Sequence, residues 1–215
     1  METIRLGRKI GSKNETFSAH RDAILGRIAN QIISNDRNNL SFRGLSRMAG
    51  TSPSNLRHYL GDRAGVLSAV MAELHRRGAP FLAEGAASPR GPARASLRWF
   101  LGFLVEGWRV GVGRAHAAGL GAGLDERALG EQYLLHLLEP TLAAAEARIA
   151  RHVAQGEIER CDLRHAALEL VCPVVLALLH QDALGGAAVR PLDLQAFLDE
   201  HVARFLRSHA PAGAT

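Results

Sequence analysis

The sequence predicts an all-α protein. Apolar residues recur at three- and four-residue intervals along most of the 215 residues, and no segment alternates apolar and polar residues strictly enough to indicate a strand. Proline and glycine are sparse where this helical periodicity is strong. Hydrophobic residues make up 47% of the chain, which provides for a globular core and excludes wholesale disorder.

The first predicted helix runs from about Thr16 to Ser34 and ends before the turn-forming pair Asn35-Asp36. Residues 1–14 precede it and are predicted to form a flexible basic arm. The apolar face of this helix consists of Phe17, Ile24, Ile28 and Ile32. The arm carries Arg5, Arg8, Lys9 and Lys13, which can reach phosphates or a minor groove, although a short basic terminus is more often simply solvated.

The second and third predicted helices are short and have clear start and stop signals. Ser41 is an N-cap candidate, because its hydroxyl can accept an unpaired backbone N–H, and Gly50 can adopt the left-handed conformation that ends a helix. Ser52 and Pro53 begin the third helix, since the N–H that proline lacks is not needed at the first helical position. The second helix has Phe42, Leu45, Met48 and Ala49 on one side.

A fourth helix is predicted after Asp62, which repeats the capping signal. It is expected to end near Gly78-Ala79-Pro80, where two poor helix formers come close together. Its buried side consists of Val66, Leu67, Val70, Met71 and Leu74.

The remainder of the chain is predicted to be a helical body that follows a linker at Ser88–Pro92. Four long apolar helices are expected at about 93–110, 125–155, 163–184 and 192–208. The glycine-rich stretch Gly111–Gly123 lies between the first two of them. Each glycine inside a helix costs about 1 kcal/mol relative to alanine, so this stretch is not expected to be a regular helix throughout and is a candidate mobile segment.

Charge is distributed unevenly between the two ends of the chain. Residues 1–77 contain 13 Lys and Arg against 6 Asp and Glu, a net charge of +7, whereas residues 78–215 contain 13 against 15, a net charge of −2. A basic head accumulates near polyanions because each phosphate that it neutralises releases counterions. Nucleic acid and anionic membrane are therefore the two candidate partners of the head.

The second and third helices have the arrangement of a helix-turn-helix, in which the second helix of the pair enters the DNA major groove. At 100° per residue, Leu60 lies on the same side as Leu56, and Ser54 and His58 point away from the core. Asn55 and Arg57 flank them, which makes the outward face entirely polar. Hydroxyl, amide and guanidinium groups can bind base edges and phosphates.

The segment from Leu45 to Arg63, centred on Ala49-Gly50-Thr51-Ser52, resembles the DNA-binding signature of the TetR family of transcription regulators. The resemblance covers residues 16–75. Leu45-Ser46 replaces the family's Ile-Ala, Leu60 replaces Phe and Arg63 replaces Lys, and each keeps the physical role of its position. Arg57 stands where Tyr is usual and does not.

The resemblance implies roles for individual residues of the head. The expected phosphate ligands are Ser41, Arg43, Tyr59 and Arg63, and the residues expected nearest the bases are Ser54, Asn55, Arg57 and His58. Ser52 completes the predicted DNA-binding set. The predicted partner is therefore double-stranded operator DNA, and the predicted function is that of a repressor released from a palindromic operator by a small-molecule effector.

The same resemblance implies a division into three parts: the arm 1–14, a three-helix DNA-binding domain at 15–78 and a helical effector-binding and dimerisation domain at 79–215. It also implies a homodimer, in which the helices at about 163–184 and 192–208 pack with their counterparts as a four-helix bundle. A dimer suits the DNA, because two recognition helices must lie about 34 Å apart to contact successive major-groove faces of a palindrome.

An effector pocket is predicted by resemblance on the first helices of the body. Its candidate residues are Trp99, Phe103, Trp108, His116, Tyr133 and His136. Each of them is individually more typical of plain core packing, because large aromatic residues fill helical cores in all proteins. A mostly apolar pocket would favour a hydrophobic or aromatic effector.

No catalytic residue, metal site or cofactor is predicted. Cys161, His165 and Glu169 are spaced at four-residue steps but lack the closely paired ligands of zinc sites, and no phosphate-binding loop or nucleophile motif occurs. Apolar stretches such as Leu168–Leu179 are shorter than the roughly 18 residues of a membrane span. Residues 1–16 lack an apolar signal region, so we expect a cytoplasmic protein with both cysteines as thiols.

Three other interpretations stay open at this point. The first is that the head is an ordinary three-helix core with a solvated polar face. The second is a helical small-molecule-binding enzyme or carrier with an incidental basic head, and the third is a peripheral membrane protein that uses residues 1–77 as a basic patch.

Overall fold

The computed structural model describes residues 11–34, 39–87 and 91–211 and, within them, the side chains from residue 15 onward. Its α-helices are, in chain order, α1 Gly11–Ser34, α2 Phe42–Ala49, α3 Pro53–Leu60, α4 Arg63–Ala86, α5 Ala93–Gly107, α6 Gly113–Asp125, α7 Arg127–Tyr133, α8 Glu139–Ala154, α9 Leu163–Leu178, α10 Gly186–Val189 and α11 Leu194–Ser208. Single π-helical turns, at Trp108–Val112, Leu134–Leu138 and Leu179–Ala183, follow α5, α7 and α9. No strand occurs in these ranges, so the all-α prediction is confirmed.

Two sequence predictions about the first part of the chain need comment. Helix α1 begins at Gly11, before the predicted Thr16, so residues 11–14 of the predicted arm are helical. Arg5, Arg8 and Lys9 of the arm, the turn pair Asn35-Asp36 and the first three residues of the Ser88–Pro92 linker lie outside the described residues, as does the side chain of Lys13.

The predicted caps of the head are present. The side chain of Ser41 accepts from the Gly44 N–H at 3.2 Å, and that of Ser52 accepts from the Asn55 N–H at 3.1 Å. Gly50 has the left-handed φ of 61° that the end of α2 requires. The buried hydroxyl of Ser46 also donates to the Thr51 carbonyl at 2.5 Å, which holds the turn between α2 and α3.

Helix α4 does not end near Gly78-Ala79-Pro80 as predicted but continues to Ala86. The cause lies in the body. Arg148 of α8 is 1% exposed, and its guanidinium donates to the Gly85 carbonyl at 2.6 and 2.9 Å and to the Ala87 carbonyl at 3.3 Å. A cation at a helix C-terminus binds its unpaired carbonyls and favours the helix dipole. These contacts offset the poor helix propensity of the residues around Pro80.

The glycine-rich stretch is also more helical than predicted. Only its beginning is irregular: Gly111 has φ 117°, and this kink separates α5 from α6. The glycines of α6 allow close packing, since a Cβ on Gly119 would lie 2.7 Å from the Tyr133 ring and one on Gly123 would lie 2.7 Å from the Gly130 Cα. Contact with α7 therefore stabilises a helix whose propensity alone is poor.

The four predicted body helices are each shorter or interrupted. The helix predicted at 93–110 ends at Gly107, and the one predicted at 125–155 is divided by a π-helical turn into α7 and α8. The helix predicted at 163–184 corresponds to α9 and the π-helical turn that follows it. The helix predicted at 192–208 corresponds to α11, which begins at Leu194.

Two hydrophobic clusters form the core. One lies within the body, from Ala93 of α5 to Phe205 of α11. The other combines the apolar faces of α1 to α4 with residues of α6, α7 and the turn after it, namely Ala115, Ala122, Leu129, Tyr133 and Leu137. The head thus shares a core with the body, and α4 runs through the predicted domain boundary at residue 78, which stays a prediction.

One helical segment of the described chain, Leu163–Ala183, is long and apolar enough by composition to cross a membrane, contrary to the count of apolar residues made above. A core helix of a globular protein passes the same test. In this segment 39% of the most apolar window is buried inside the fold.

Candidate DNA-binding surface and effector site

Helix α3 presents the polar face that its sequence predicts. Leu56 and Leu60 are buried against the head core, at 0% and 8% exposure. The predicted base-contacting residues, Ser54, Asn55, Arg57 and His58, are all exposed. The structure therefore brings these four side chains together on one solvent-facing surface.

Contacts with neighbouring side chains order this surface. The guanidinium of Arg57 lies over the Phe42 ring, 5.1 Å from its centroid, and the Asn55 amide donates to the Thr51 hydroxyl at 2.8 Å. Phe17 of α1 lies against His58 and Tyr59, with ring centroids 5.6 and 4.8 Å apart. Phe17 is 39% exposed, so it belongs to this surface and not to the core face predicted for it.

The predicted phosphate ligands surround α3 but differ in their environments. Ser41 and Ser52 act as helix caps, and their hydroxyls keep a proton to donate. Arg43 is exposed and Tyr59 is half-buried. Arg63 is only 33% exposed: its Nε donates to the Leu40 carbonyl at 2.9 Å, and its Nη1 lies 3.5 Å from a carboxylate oxygen of Glu126.

Glu126 was not identified from the sequence as a site residue. It lies in the turn between α6 and α7, so its contact with Arg63 joins the head to the body. Sequence separation hides such a pair, because no local pattern connects residues that are 63 positions apart. Arg63, a predicted phosphate ligand of the head, is therefore in direct contact with a residue of the body.

The six predicted effector residues fall into three separate places. Trp99 and Phe103 stack on each other in α5, with centroids 5.3 Å apart. Trp108, His116 and Tyr133 form a buried cluster, and His136 lies beside His75 of α4, with ring centroids 5.9 Å apart. The structure therefore does not bring them together as one pocket.

The buried cluster is stabilised by polar and ring contacts. The Nδ1 of His116 lies 3.1 Å from the Tyr133 hydroxyl, and the imidazole stacks on Trp108 with centroids 5.5 Å apart. Burial lowers the pKa of His116 from 6.5 to about 4 and raises the pKa of Tyr133 to about 12. His116 is therefore a neutral core residue near neutral pH.

This burial predicts an acid sensitivity of the fold. His116 of the unfolded chain binds a proton below about pH 6.5, whereas in the folded protein it resists protonation down to about pH 4. Stability should fall as the pH drops through this window, by about 1 kcal/mol between pH 7 and 5.5. Urea unfolding of the wild type and of His116→Phe measures the effect. An equally steep pH dependence in His116→Phe would assign the loss to other groups.

A cleft of about 830 Å³ lies where the head meets the body. Of the six predicted effector residues only Trp108 lines it. The residues that define its two walls are Leu40 and Arg63 from the head and Trp108, Arg109, Arg114 and Asp182 from the body. Its volume is within the range of cavities that bind small molecules.

No group of three or more His, Cys, Asp or Glu side chains within the described ranges is arranged to hold a metal ion. Glu169 of the trio considered above has other partners, since its carboxylate lies 3.0 Å from His209 Nε2 and accepts from the Ser208 hydroxyl at 3.3 Å. Both cysteines are free thiols, and burial raises the pKa of each.

Comparison with solved structures identifies the fold. A protein assigned to the TetR family of transcriptional regulators from Mesorhizobium loti superposes with a TM-score of 0.65 at 14% identity, covering 90% of this chain and 98% of that one. A TetR-family protein from Rhodococcus gives 0.64 at 22% identity, covering 89% and 98%. The transcriptional regulator FadR from Bacillus subtilis, in complex with stearoyl-CoA, gives 0.61 at 14% identity, covering 88% and 97%.

No family sequence model and no curated protein matches this sequence. The likeness is therefore one of structure, at low identity and over nearly the full length of both chains. The chain has the fold of TetR-family transcriptional regulators, with an N-terminal helix-turn-helix followed by a helical domain.

Proposed function

We propose that this chain, with its TetR-type fold, is a cytoplasmic DNA-binding transcriptional regulator, a repressor that a small-molecule effector releases from a palindromic operator. The observation that carries the proposal is the exposed polar face of α3. This helix belongs to a basic head, in which the side chains of Ser41 and Ser52 cap α2 and α3. Such a helix can enter the major groove with its first turns against the bases. Arg57 and Asn55 supply the bidentate groups that favour guanine and adenine.

The proposed DNA-bound form is a dimer. The outer face of α9 and of the π-helical turn after it supports this, because exposed residues recur at helical spacing at His165, Glu169, Pro173, Leu176 and His180. Leu176 is 65% exposed in the middle of this face. A second copy packed on α9 and α11 would cover it, and would account for an apolar helix that is buried over only part of its surface.

Contacts between head and body provide a route for regulation. Arg114 at the start of α6 donates to the Ile33 carbonyl at the end of α1, at 3.1 Å. Ser68 of α4 donates to the side chain of Gln132 in α7 at 2.8 Å. A ligand that shifts α6 and α7 would therefore shift the head and change the separation of the two recognition helices. Such a ligand weakens DNA binding only if it binds the DNA-incompetent state more tightly than the DNA-competent state.

The experiment that tests the function measures binding of the purified protein to the intergenic DNA upstream of its own gene. Fluorescence anisotropy at several salt concentrations, with unrelated competitor DNA, separates specific from electrostatic binding. Specific binding that survives competitor is expected. Equal binding to all DNA, seen only at low salt, would contradict the proposal and favour the enzyme, carrier or membrane interpretation.

Variants of the head sharpen this test. Arg43→Ala should reduce the slope of log affinity against log salt by about one, as expected for one lost phosphate contact, whereas Arg127→Ala, an exposed arginine of the body, should leave the slope unchanged. His58→Ala should change the ranking of operator sequences more than the overall affinity. A uniform loss for all sequences would argue against base contact by His58.

The dimer has its own prediction. Leu176→Asp would place two carboxylates in the interface, so we expect a monomer in sedimentation experiments and a loss of operator affinity through loss of the second half-site. Leu124→Asp is the matched control, since Leu124 is 80% exposed and belongs to α6, which is not one of the two helices of the proposed interface. A dimer that survives Leu176→Asp would exclude this face.

A further inference from the structure

The apolar face of α1 continues beyond the core of the head and reaches α3. Ile24 and Ile28 of this face are buried, at 3% and 0% exposure. Phe17 lies seven residues before Ile24, about two helical turns, and therefore on the same face. At 39% exposure its ring lies outside the core, and it contacts the rings of His58 and Tyr59 near the end of α3. An apolar side chain of α1 thus forms part of the proposed DNA-binding surface.

Phe17 and His20 of α1 form a cluster with His58 and Tyr59 of α3, which we call the α1–α3 ring cluster. The Phe17 ring meets the His58 imidazole edge to face, at an interplanar angle of 86°. The His20 ring is nearly parallel to that of Tyr59, at 12°, with centroids 6.3 Å apart. His58 and Tyr59 are also in contact with each other, with centroids 5.1 Å apart. These separations fall within the roughly 4.5–7 Å at which aromatic rings stabilise each other.

The ring cluster holds two predicted DNA ligands before DNA is bound. His58 is expected at the bases and Tyr59 at a phosphate, so Phe17 contacts one residue of each kind. A side chain on an open helix surface moves between staggered rotamers, and binding must restrict this freedom. A ring that is already held loses less freedom, and a base edge accepts a hydrogen bond only from a group with the right direction.

We infer that Phe17 is a positioning residue for DNA recognition, which orients the His58 imidazole toward the bases and the Tyr59 phenol toward a phosphate. It thereby contributes to operator affinity and specificity. This inference rests on the DNA-binding function proposed above. A residue of the core face, as the sequence predicts for Phe17, would instead affect the stability of the head and not the ranking of operator sequences.

Operator titrations by fluorescence anisotropy test this role. Phe17→Ala should lower operator affinity about fivefold or more, as expected when an ordered side chain regains its freedom. It should also reduce the affinity difference between the operator and variants altered at single base pairs. Phe17→Tyr keeps the ring and should bind as the wild type does. Phe81→Ala is the matched control, since Phe81 is 63% exposed on α4 and lies outside the ring cluster.

A double-mutant cycle shows whether Phe17 acts through His58. In a His58→Ala background, Phe17→Ala should no longer change the ranking of operator sequences, because the imidazole that Phe17 orients is gone. An equal change of ranking in both backgrounds would overturn the inference.

Nuclear magnetic resonance of the DNA-free protein gives a readout that a merely stabilising role would not change. The His58 ring protons, assigned by the loss of their signals in His58→Ala, lie beside the Phe17 ring, whose magnetic field displaces their signals. These signals should therefore shift in Phe17→Ala and stay near the wild-type position in Phe17→Tyr. The unfolding temperature verifies that both variants fold. Unchanged His58 signals in Phe17→Ala would overturn the contact and the inference with it.

The outcomes for wild type and variant separate this inference from the proposed function. Specific operator binding by the wild type that Phe17→Ala leaves unchanged in affinity and ranking would overturn the role of Phe17 and leave the DNA-binding function intact. A lower unfolding temperature of Phe17→Ala with an unchanged ranking would assign Phe17 to packing alone. Failure of the wild type to bind any operator specifically would instead refute the proposed function itself, and the role of Phe17 would fall with it.

Discussion

Replacing Arg148 with Met is expected to lower the free energy of unfolding by about 3 kcal/mol or more. The guanidinium is almost fully buried and supplies hydrogen bonds to three acceptors, the Gly85 and Ala87 carbonyls and the Ser96 hydroxyl. Each buried acceptor that loses its partner costs about 1 kcal/mol or more. The Arg148 guanidinium also lies 4.9 Å from the Trp99 ring centroid, so the substitution removes a cation–π contact as well.

Urea unfolding monitored by circular dichroism measures this loss. The matched control is Arg127→Met, since Arg127 is exposed on α7 and pairs with Glu131 at four-residue spacing, an arrangement worth about 0.5 kcal/mol or less. Because Arg148 binds the carbonyls at the end of α4, the last turns of α4 should also become more open to hydrogen exchange. Equal stability of the two variants would show that Arg148 is not needed to hold α4 in its full length.

Gly111→Val is expected to have the second large effect, a loss of about 2–5 kcal/mol of stability. Two penalties combine in this estimate, about 1–2 kcal/mol for a side chain at positive φ and about 1–3 kcal/mol for overpacking. Gly111 has φ 117°, and a Cβ there would lie 2.5 Å from the Ile33 carbonyl oxygen, which belongs to the backbone of α1. Neither the new side chain nor the Ile33 carbonyl can move aside unless α1 shifts away from α6.

The control for this variant is Gly107→Ala. Gly107 has an ordinary helical φ of −55°, and a Cβ there would meet no atom within 4 Å, so the substitution should be neutral or stabilise by up to about 1 kcal/mol. Thermal unfolding of both variants compares them directly. If Gly111→Val is as stable as Gly107→Ala, the close contact between α1 and the α5–α6 kink is not a fixed feature of the molecule.

The sequence by itself determined the architecture of the head. Ser41, Gly50, Ser52, Pro53 and Asp62 act within one or two helical turns, so their effect on helix ends does not depend on what packs around them. Leu56 and Leu60 likewise fix the buried side of α3 by helical period alone. For this reason the predicted polar face of α3 agrees with the structure residue by residue.

Only the tertiary structure decided the course of the chain after residue 77. Local propensity argues for an end of α4 near Pro80 and against a helix at 113–123, but each of these penalties is only a few kcal/mol at most. Arg148, 63 residues beyond Gly85, and the contacts of α6 with Tyr133 and Gly130 outweigh them.

The candidate effector site depended on long-range packing in the same way. Trp99, Trp108 and His136 lie in three different places: Trp99 stacks on Phe103, Trp108 stacks on His116, and His136 lies beside His75. The cleft is lined by residues from distant segments of the chain, among them Leu40, Arg63, Arg114 and Asp182. Short-range sequence patterns do not predict such a cleft, since it forms only when α4 and α6 are brought together.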